Sequence, residues 1–363
     1  MDYLTKYFNC LIYFIGVIVS GLCPSKLMRK KIRMFFDIDK KHSTRALFIK
    51  HKQAGKIYMP LYTGCHLPPK EGFEIYNKYN ERMQTFFLRG GYENMMDNIA
   101  TSRYFIWDKY NFNLPVHFYL HNSMLETMGN PNKRYGLFIE SESITPATYK
   151  IFEKNKGLEK DFDLIFTHTE KFLDKFENAR LLPYCARLWC SLKDPSDKNN
   201  NPIKDWLELK HKNISIVSSN KKMCKLHYLR IDWANKCKQY GWADTFGNFD
   251  GGPCIPIEES LKNYRYSIAI ENQIEPYWFT EKIVNCFATM TIPVYIGATK
   301  IDTFFNPDGI IQIQPKDYNN LETIINRCTK EFYEERINII LENYYKAFQF
   351  ENINDYMYEK FLK

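Results

Sequence analysis

The sequence predicts an α/β protein built from two Rossmann-like domains that face each other across a cleft. Its 363 residues exceed the length of one ordinary domain. From about residue 44 onward, short apolar runs alternate with amphipathic stretches, and this order of strand, helix and strand indicates parallel sheets. A polar, turn-rich stretch at 193–205, KDPSDKNNNPIKD, separates two such halves.

Each half contains apolar runs with the length and flanking residues of buried strands. In the first half these are ALFIK at 46–50, YGLFIE at 135–140 and DLIFTH at 163–168, followed by an amphipathic helix at 169–176. In the second half they are NISIVSS at 213–219, YSIAIE at 266–271, IPVYIG at 292–297 and GIIQI at 309–313, with a helix at 225–239. Open parallel sheets bind ligands at the carboxyl ends of their strands, so the functional site is expected in the cleft.

These patterns divide the chain into four parts. We expect an N-terminal segment at 1–35, a first Rossmann-like domain at 36–195, a second domain at 206–330, and C-terminal helices at 331–363.

Composition and charge narrow the function classes. Hydrophobic residues make up 45% of the chain and charged residues 25%, which is typical of a packed globular protein and not of a disordered one. The formal net charge is +8, which suits a diphosphate ligand, an anionic membrane surface or a nucleic acid. No zinc-finger spacing or RNA-binding aromatic motif is present, so nucleic acid is not expected as a partner. The ten cysteines form no CxxC pair, and reduced thiols are the expectation.

The N-terminal segment leaves several locations open. Residues 7–23, YFNCLIYFIGVIVSGLC, reach the short limit for a membrane span, and they also suit an interfacial helix, a cleaved leader or a buried helix of the fold. The basic residues that follow are Lys26, Arg29, Lys30, Lys31 and Arg33. This charge order favours a cytosolic position for the rest of the chain, so we expect a cytoplasmic protein, or a membrane-associated one held through residues 7–33, rather than a lumenal one.

The richest constellation lies at 266–297. A predicted strand ends at Glu271-Asn272, an aromatic loop follows, and a helix begins near Thr280, whose hydroxyl can cap free backbone N–H groups. Lys282 in the first turn suits a diphosphate, and Glu281 can accept hydrogen bonds from ribose hydroxyls. Spacing alone leaves open an ordinary solvated Glu-Lys pair at a helix start.

This run resembles the C-terminal donor-binding motif of the family 10 glycosyltransferases, the α-1,3/1,4-fucosyltransferases. The matching residues are Glu271-Asn272, Thr280-Glu281-Lys282, Ile292-Pro293-Val294, Gly297 and Phe305-Asn306-Pro307. Family members commonly have Tyr three residues before the Glu of Thr-Glu-Lys, which is Glu281 here. This chain has Trp278 at that position and Tyr277 one residue earlier. The resemblance extends over 130–325 and implies a GT-B fold with the acceptor side in the first domain (36–195) and the donor site in the second (206–330). By the same resemblance, the residues of this run that bind the donor are Glu271, Asn272, Tyr277, Trp278, Thr280, Glu281 and Lys282.

Two further patches look like the same family. In ISIVSSNKKMCKLHYLR the resemblance implies that Arg230 binds the donor phosphates and that Ser218, Ser219 and Asn220 line the turn. An exposed position on the helix is the alternative for Arg230.

In LFIESESITP, Glu140 takes the place of the family's general base, with Glu142 as the second choice. A carboxylate at the end of a strand is also commonly a cap for the next helix, and this alternative stays open for Glu140.

The resemblance implies an inverting single displacement with GDP-fucose as the default donor and a glycan hydroxyl as the acceptor. Arg230 and Lys282 would stabilise the leaving group without a metal ion. Asp161-Phe162-Asp163 leads directly into a predicted strand and is not expected to hold a metal. His168 and His227 are interpreted as structural histidines.

Three alternatives remain at this point: a different nucleotide sugar, a non-catalytic protein that keeps the nucleotide pocket, and a membrane-surface interaction protein.

Overall fold

The computed structural model describes residues 2–36, 84–89, 102–108, 114–125 and 131–363. The predicted strand at 46–50 and most of the start of the first predicted domain lie outside these residues. In the described part of the chain, two separate parallel sheets with flanking helices confirm the predicted α/β class with two Rossmann-like units.

The first sheet has six parallel strands in the order β2-β1-β3-β4-β5-β6. They are β1 (Gln84–Arg89), β2 (Phe105–Asp108), β3 (Val116–Leu120), β4 (Lys133–Leu137), β5 (Leu164–Thr167) and β6 (Ala179–Leu181). The pairings β3 with β4 and β4 with β5 place Leu120, Leu137 and Phe166 in one row across the sheet. The residues that follow these strands therefore lie along one edge.

The second sheet has five parallel strands in the order β11-β10-β9-β7-β8. They are β7 (Lys212–Val217), β8 (Asp244–Phe246), β9 (Tyr264–Ile270), β10 (Ile292–Ile296) and β11 (Ile311–Gln312). The central strands β9 and β10 are almost continuously buried, as expected for a parallel sheet covered on both faces.

Ten α-helices lie in the described part of the chain. They are α1 (Asp2–Leu22), α2 (Lys26–Phe35), α3 (Pro146–Lys154), α4 (Glu170–Lys175), α5 (Lys225–Tyr240), α6 (Glu281–Ala288), α7 (Leu321–Asn326), α8 (Lys330–Glu334), α9 (Ile337–Ala347) and α10 (Ile353–Phe361). Helix α5 ends at Gly241, whose φ of 66° lies in the left-handed region that glycine tolerates. The predicted helices at 169–176 and 225–239 are present with slightly shifted bounds, and the predicted helical region at 331–363 contains most of α8 and all of α9 and α10.

The C-terminal helices do not form a separate unit. Helix α10 packs on the first domain, where Asp355 accepts hydrogen bonds from Ser102 Oγ at 2.9 Å, Arg103 N at 2.8 Å and Arg103 Nε at 2.7 Å. The ring of Tyr358 stacks on Tyr104 with 4.6 Å between centroids. The end of the chain therefore returns across the domain boundary and ties the two domains together.

The junction between the domains begins before the predicted linker at 193–205. The backbone N–H groups of Trp189 and Cys190 donate to Asn285 Oδ1 at 2.8 and 3.4 Å, and Leu192 N donates to Ala288 O at 2.9 Å. Both acceptors belong to the region of helix α6, so the segment before the linker is already fixed on the second domain.

At the N-terminus, helices α1 and α2 pack against each other. Among the residues that the structure describes, no helix combines the length and the apolar character needed to cross a membrane.

Candidate active site

A cavity of about 630 Å³ lies between the two sheets, at the carboxyl ends of their strands. The first domain and the junction contribute Glu140, Ile144, Cys185, Arg187 and Trp189 to its lining. Of the predicted site residues, the cavity brings together Glu140, Ser219, Arg230, Asn272, Trp278, Thr280, Glu281 and Lys282. The other predicted residues, Glu142, Ser218, Asn220, Glu271 and Tyr277, lie outside its lining.

The start of helix α6 holds the most connected group of charges. Strand β9 ends at Ile270, and the next side chain, Glu271, turns into the interior with 0% of its surface exposed. Lys282 Nζ lies 3.1 Å from Glu271 Oε2 and donates to Thr280 Oγ1 at 2.9 Å. Thr280 N donates to Glu271 Oε1 at 2.9 Å, and the Thr280 hydroxyl lies 2.9 and 3.0 Å from the two carboxylate oxygens. The side chains of Lys282 and Glu281 are only 27% and 23% exposed, so they do not form the ordinary solvated Glu-Lys pair that was the alternative.

Two local features of the sequence make this arrangement possible. Thr280 caps helix α6 and accepts a hydrogen bond from Lys282 N, as the sequence predicted. Gly297, which follows strand β10, leaves room for Glu271, because a Cβ at that position would lie 2.6 Å from Glu271 Cγ and 2.2 Å from the Tyr295 hydroxyl. Only glycine allows this close approach.

Lys282 remains a cation at neutral pH. Burial disfavours its charged form, but the attraction of Glu271 and Glu281 outweighs burial, so the pKa of Lys282 lies above its ordinary value. About a quarter of the side chain, 27%, is exposed toward the cavity. Lys282 is thus held by Glu271 and Thr280 on the protein side, while its side chain lines the cavity.

Arg230 provides a second fixed cation. Its side chain is buried, which excludes the alternative of an exposed helix residue, and Arg230 Nη2 donates to Ser219 Oγ at 3.0 Å. Its Nε is buried and has no hydrogen-bond partner among the described residues. A buried guanidinium N–H without a partner is unusual and costly, unless a ligand completes the site.

The turn after strand β7 is held by the loop at 246–249. Ser218 N donates to Phe246 O at 2.9 Å, and Asn220 N donates to Asn248 Oδ1 at 3.2 Å. Gly247 has a φ of 93°, and a Cβ there would lie 2.3 Å from Ser218 O. Ser218 and Asn220 therefore shape the turn, and Ser219 is the member of the turn that reaches the cavity.

Glu140 faces these cations from the other side of the cleft. It follows strand β4, its backbone carbonyl accepts a hydrogen bond from the Tyr149 hydroxyl, and its side chain lines the cavity. Burial raises the pKa of Glu140, and the positive charge of Lys282 opposes this shift. Glu142 pairs instead with Lys171 at 3.0 Å, outside the cavity.

The loop between Glu271 and Thr280 also contacts the first domain. Ser143 N donates to Gln273 Oε1 at 2.6 Å, and the ring of Trp278 lies 4.4 Å from the ring of His168. Trp278 is buried and lines the cavity, and its Nε1 has no hydrogen-bond partner in the described part of the chain. Tyr277 lies beside Lys300, whose Nζ is 5.4 Å from the ring centroid. The loop therefore belongs to both sides of the cleft.

His168 is a structural residue, as the sequence predicted. It is fully buried, its Nε2 lies 3.1 Å from the Tyr149 hydroxyl, and burial lowers its pKa to about 3. His227 differs, because it lines the cavity while its Nδ1 accepts a hydrogen bond from Met223 N at 3.1 Å. Burial and the nearby Arg230 lower the pKa of His227 to about 4, so it is neutral at physiological pH.

Sequence reasoning missed several residues of the lining. His227 precedes Arg230 by three positions on helix α5, so helical spacing could have placed both on one face. Arg187 and Trp189 lie in the segment before the linker. The only sequence signal for their place in the lining is that an Arg and a Trp, both common in binding sites, stand two residues apart. Lys221, which follows the Ser-Asn turn, adds a further positive charge.

Within the described ranges there is no group of three or more His, Cys, Asp or Glu side chains that could hold a metal ion. Asp163, in the sequence Asp161-Phe162-Asp163, pairs with Lys133 Nζ at 2.7 Å and accepts from Arg134 N at 2.9 Å. These contacts give Asp163 a structural role at the start of strand β5.

Comparison with known proteins identifies the part of the chain that carries this site. Residues 207–335 match the model described as glycosyltransferase family 10 (fucosyltransferase) C-term. The alpha-(1,3)-fucosyltransferase FucT of Helicobacter pylori is 30% identical over 67 residues, which are 18% of this chain and 14% of that relative. The family resemblance found in the motifs is therefore confirmed, and the aligned segment spans a small part of the relative's length.

Solved structures give more distant matches. A crystal structure of an alpha1,3-fucosyltransferase with GDP is 17% identical, with 76% of this chain and 88% of that chain covered and a TM-score of 0.47. One with GDP-fucose is 17% identical, with 76% and 89% covered and a TM-score of 0.45. The pneumococcal O-GlcNAc transferase GtfA with UDP and GlcNAc is 9% identical, with 67% and 56% covered and a TM-score of 0.41.

Proposed function

Since residues 207–335 carry the C-terminal domain of glycosyltransferase family 10, we propose that this protein is an inverting glycosyltransferase that moves fucose from GDP-fucose to a glycan hydroxyl. One observation carries the proposal: two fixed cations, Lys282 and Arg230, line one side of a cavity whose other side presents Glu140. The two cations suit a diphosphate, and the carboxylate on the opposite side suits a base for an acceptor hydroxyl.

The donor binds through its diphosphate. Lys282 and Arg230 supply positive charge. The N-terminus of helix α6, where free backbone N–H groups attract anions, lies at the same cavity. Buried polar atoms without partners in the described residues, Arg230 Nε, Trp278 Nε1 and Asn272 Oδ1, are available to a polar ligand. Glu281, at the same helix start, accepts hydrogen bonds from the ribose hydroxyls.

Transfer then proceeds as a single displacement. The acceptor oxygen attacks the anomeric carbon, Glu140 takes the hydroxyl proton, and the bond from that carbon to the phosphate oxygen breaks on the opposite face. The nucleoside diphosphate leaves with an added negative charge, which Lys282 and Arg230 stabilise in a partly dry cleft. The raised pKa of Glu140 suits a group that must hold a proton during turnover.

The non-catalytic alternative predicts that the acidic residues of the first domain face away from the cleft. Glu140 lines the cavity, which favours the enzyme over a protein that only binds nucleotide sugars. The choice of sugar is the open alternative, because one fold accommodates many donors.

A panel of nucleotide sugars tests the proposal. Binding is measured by calorimetry and slow donor hydrolysis by product analysis, with full-length protein and GDP-fucose, GDP-mannose, UDP-glucose and UDP-N-acetylglucosamine. We expect GDP-fucose to bind most tightly and to be hydrolysed. Tighter binding of another nucleotide sugar would identify that compound as the donor instead of GDP-fucose. Binding of none of them would refute the proposal of a glycosyltransferase.

The N-terminal segment supports a second proposal, that residues 7–33 hold the enzyme on an anionic membrane surface with its catalytic part in the cytosol. Helix α1 exposes Phe8, Leu11, Ile15, Ile18 and Leu22 at intervals of three or four residues, so that they share one apolar face. Helix α2 follows with basic residues and no acidic residue. An apolar face beside a basic helix is the pattern of an interfacial anchor.

Vesicle flotation tests this location. The full chain is expected to float with vesicles of phosphatidylcholine and phosphatidylserine, and a double reversal, Arg29→Glu with Lys31→Glu, to lower the partition at least about 10-fold. A matched reversal of two exposed lysines elsewhere, Lys236→Glu with Lys346→Glu, is the control. Equal binding to vesicles of phosphatidylcholine alone would contradict the electrostatic part of the proposal.

A further inference from the structure

Glu271 differs from the other charged residues of the donor side, because it does not line the cavity. Its side chain is fully buried, and both carboxylate oxygens already have partners in Thr280 and Lys282. A ligand in the cavity therefore contacts Lys282 and not Glu271. The prediction of a direct donor contact for Glu271 does not fit this geometry.

We propose that Glu271 is a positioning residue, whose buried carboxylate holds the Lys282 ammonium and the capping residue Thr280 in the arrangement that receives the donor diphosphate. This inference rests on the proposed function, since it concerns the same donor site. Glu271 acts through Lys282 and touches neither the donor nor the acceptor.

The hydrogen bonds of Lys282 explain how the positioning works. An ammonium group has three N–H donors. Two short contacts, 3.1 Å to Glu271 Oε2 and 2.9 Å to Thr280 Oγ1, fix the group from below, and the third contact, to Glu281 Oε1, is longer at 3.4 Å. A phosphate oxygen that approaches from the cavity takes the third N–H without disturbing the two short contacts.

The helix start is fixed by the same carboxylate. Thr280 N and the Thr280 hydroxyl both lie within 3.0 Å of Glu271 oxygens, while that hydroxyl oxygen accepts from Lys282 N at 3.4 Å. Glu271 N itself donates to Ile296 O at 2.8 Å, which anchors this network to strand β10. The Thr280 cap, the Lys282 ammonium and the central sheet are therefore joined in one hydrogen-bonded network.

The surrounding fold makes room for the carboxylate at a cost. A buried carboxylate carries a large desolvation penalty, which a lysine partner and hydrogen bonds must offset. Gly297 provides the space, because a Cβ there would lie 2.6 Å from Glu271 Cγ. An apolar residue would fill the same volume with less desolvation, so stability alone does not account for a carboxylate at this position.

A double-mutant cycle with two ligands tests the inference. GDP and guanosine differ only in the diphosphate, so loss of a positioned Lys282 affects GDP alone. We expect Glu271→Gln to weaken GDP binding about 10-fold and guanosine binding less than about 2-fold. In a Lys282→Met background, the same Glu271→Gln change should have a clearly smaller effect, about 3-fold or less, because only the contribution through the Thr280 cap remains.

Two outcomes would overturn the inference: equal losses for GDP and guanosine, or an undiminished effect of Glu271→Gln in the Lys282→Met background. If Glu271→Gln does not fold, Thr280→Val replaces it, since this isosteric change removes the bridging hydroxyl and should weaken GDP binding selectively in the same way. Failure of the unaltered protein to bind GDP would refute the proposed function as well, whereas binding that Glu271→Gln leaves unchanged would refute only the positioning role.

Discussion

The two sides of the cleft are built differently. On the side of the second domain, Lys282 and Arg230 are held by side-chain hydrogen bonds to Glu271, Thr280 and Ser219. On the side of the first domain, the backbone carbonyl of Glu140 accepts a hydrogen bond from the Tyr149 hydroxyl, and the Glu140 carboxylate is held by a backbone N–H, that of Ser141. Binding of a fixed anion gains from rigid donors, whereas a base must be free to gain and lose a proton. The difference indicates separate roles for the two sides.

If Glu140 is the base, as proposed, its replacement should have the largest effect while leaving the proposed donor site intact. Glu140→Gln is expected to lower kcat about 100- to 10,000-fold while leaving the Kd for GDP-fucose within about 2-fold, because the amide keeps the shape but cannot take the proton. Single-turnover transfer and calorimetry on the same preparation measure both. Glu142→Gln is the matched control and should keep full activity, since Glu142 pairs with Lys171 outside the cavity. Loss of activity in the control instead would exchange the two assignments.

A smaller effect is expected from the opposite side of the cleft. Lys282→Ala should weaken GDP-fucose binding about 10- to 100-fold, because it removes a charge-assisted contact with the diphosphate and leaves Glu271 buried without its cation. Calorimetric titration measures the change. Lys330→Ala, which removes an exposed lysine paired with Glu334 outside the cavity lining, is the control and should bind normally. Unchanged affinity in Lys282→Ala would mean that the two sides do not divide the roles as described.

The smallest effect is on stability, and it concerns the contact between the loop at 271–280 and His168 of the first domain, called the seam below. Glu275 lies there with Oε2 at 3.7 Å from His168 Nε2, and burial, with a contribution from Glu142, raises its pKa to about 7. A raised folded-state pKa gives stability that is complete below the unfolded value near 4.5 and is lost as pH rises through 7. The unaltered protein should therefore lose about 3 kcal/mol of unfolding free energy as pH rises from below 4.5 to above 7.

Urea unfolding of Glu275→Gln at pH 5 and pH 8 measures this loss. The variant cannot ionise at this position, so its stability relative to the unaltered protein should rise by about 2 kcal/mol between the two pH values. The same difference in stability at both pH values would show that Glu275 does not titrate at the seam.

The sequence predicted most of the donor side, because the signals there are local. A strand, a loop, a capping threonine and a first-turn Glu281 and Lys282 occur within a short stretch, and the structure has each of them at the predicted place. The role of Glu271 was missed because it depends on burial and on the space beside Gly297, which comes from a neighbouring strand. Burial between strands is a tertiary property that spacing does not report.

The first domain was harder to predict for the same reason. Strands β1, β2 and β3 were not predicted, and β3 carries His117 within its apolar run, which weakens the strand pattern. Trp189 lines the cavity, and its backbone N–H donates to Asn285 of the other domain. Contacts between residues far apart in the chain, such as this one, have no sequence signal in a single chain.

A crystal structure of Glu140→Gln with GDP-fucose would test the division of roles most directly, because the variant should bind the donor without consuming it. We expect diphosphate oxygens within about 3 Å of Lys282 Nζ and of the Arg230 guanidinium, with the sugar between them and residue 140. A nucleotide bound away from the start of helix α6, or a sugar that faces away from residue 140, would contradict it.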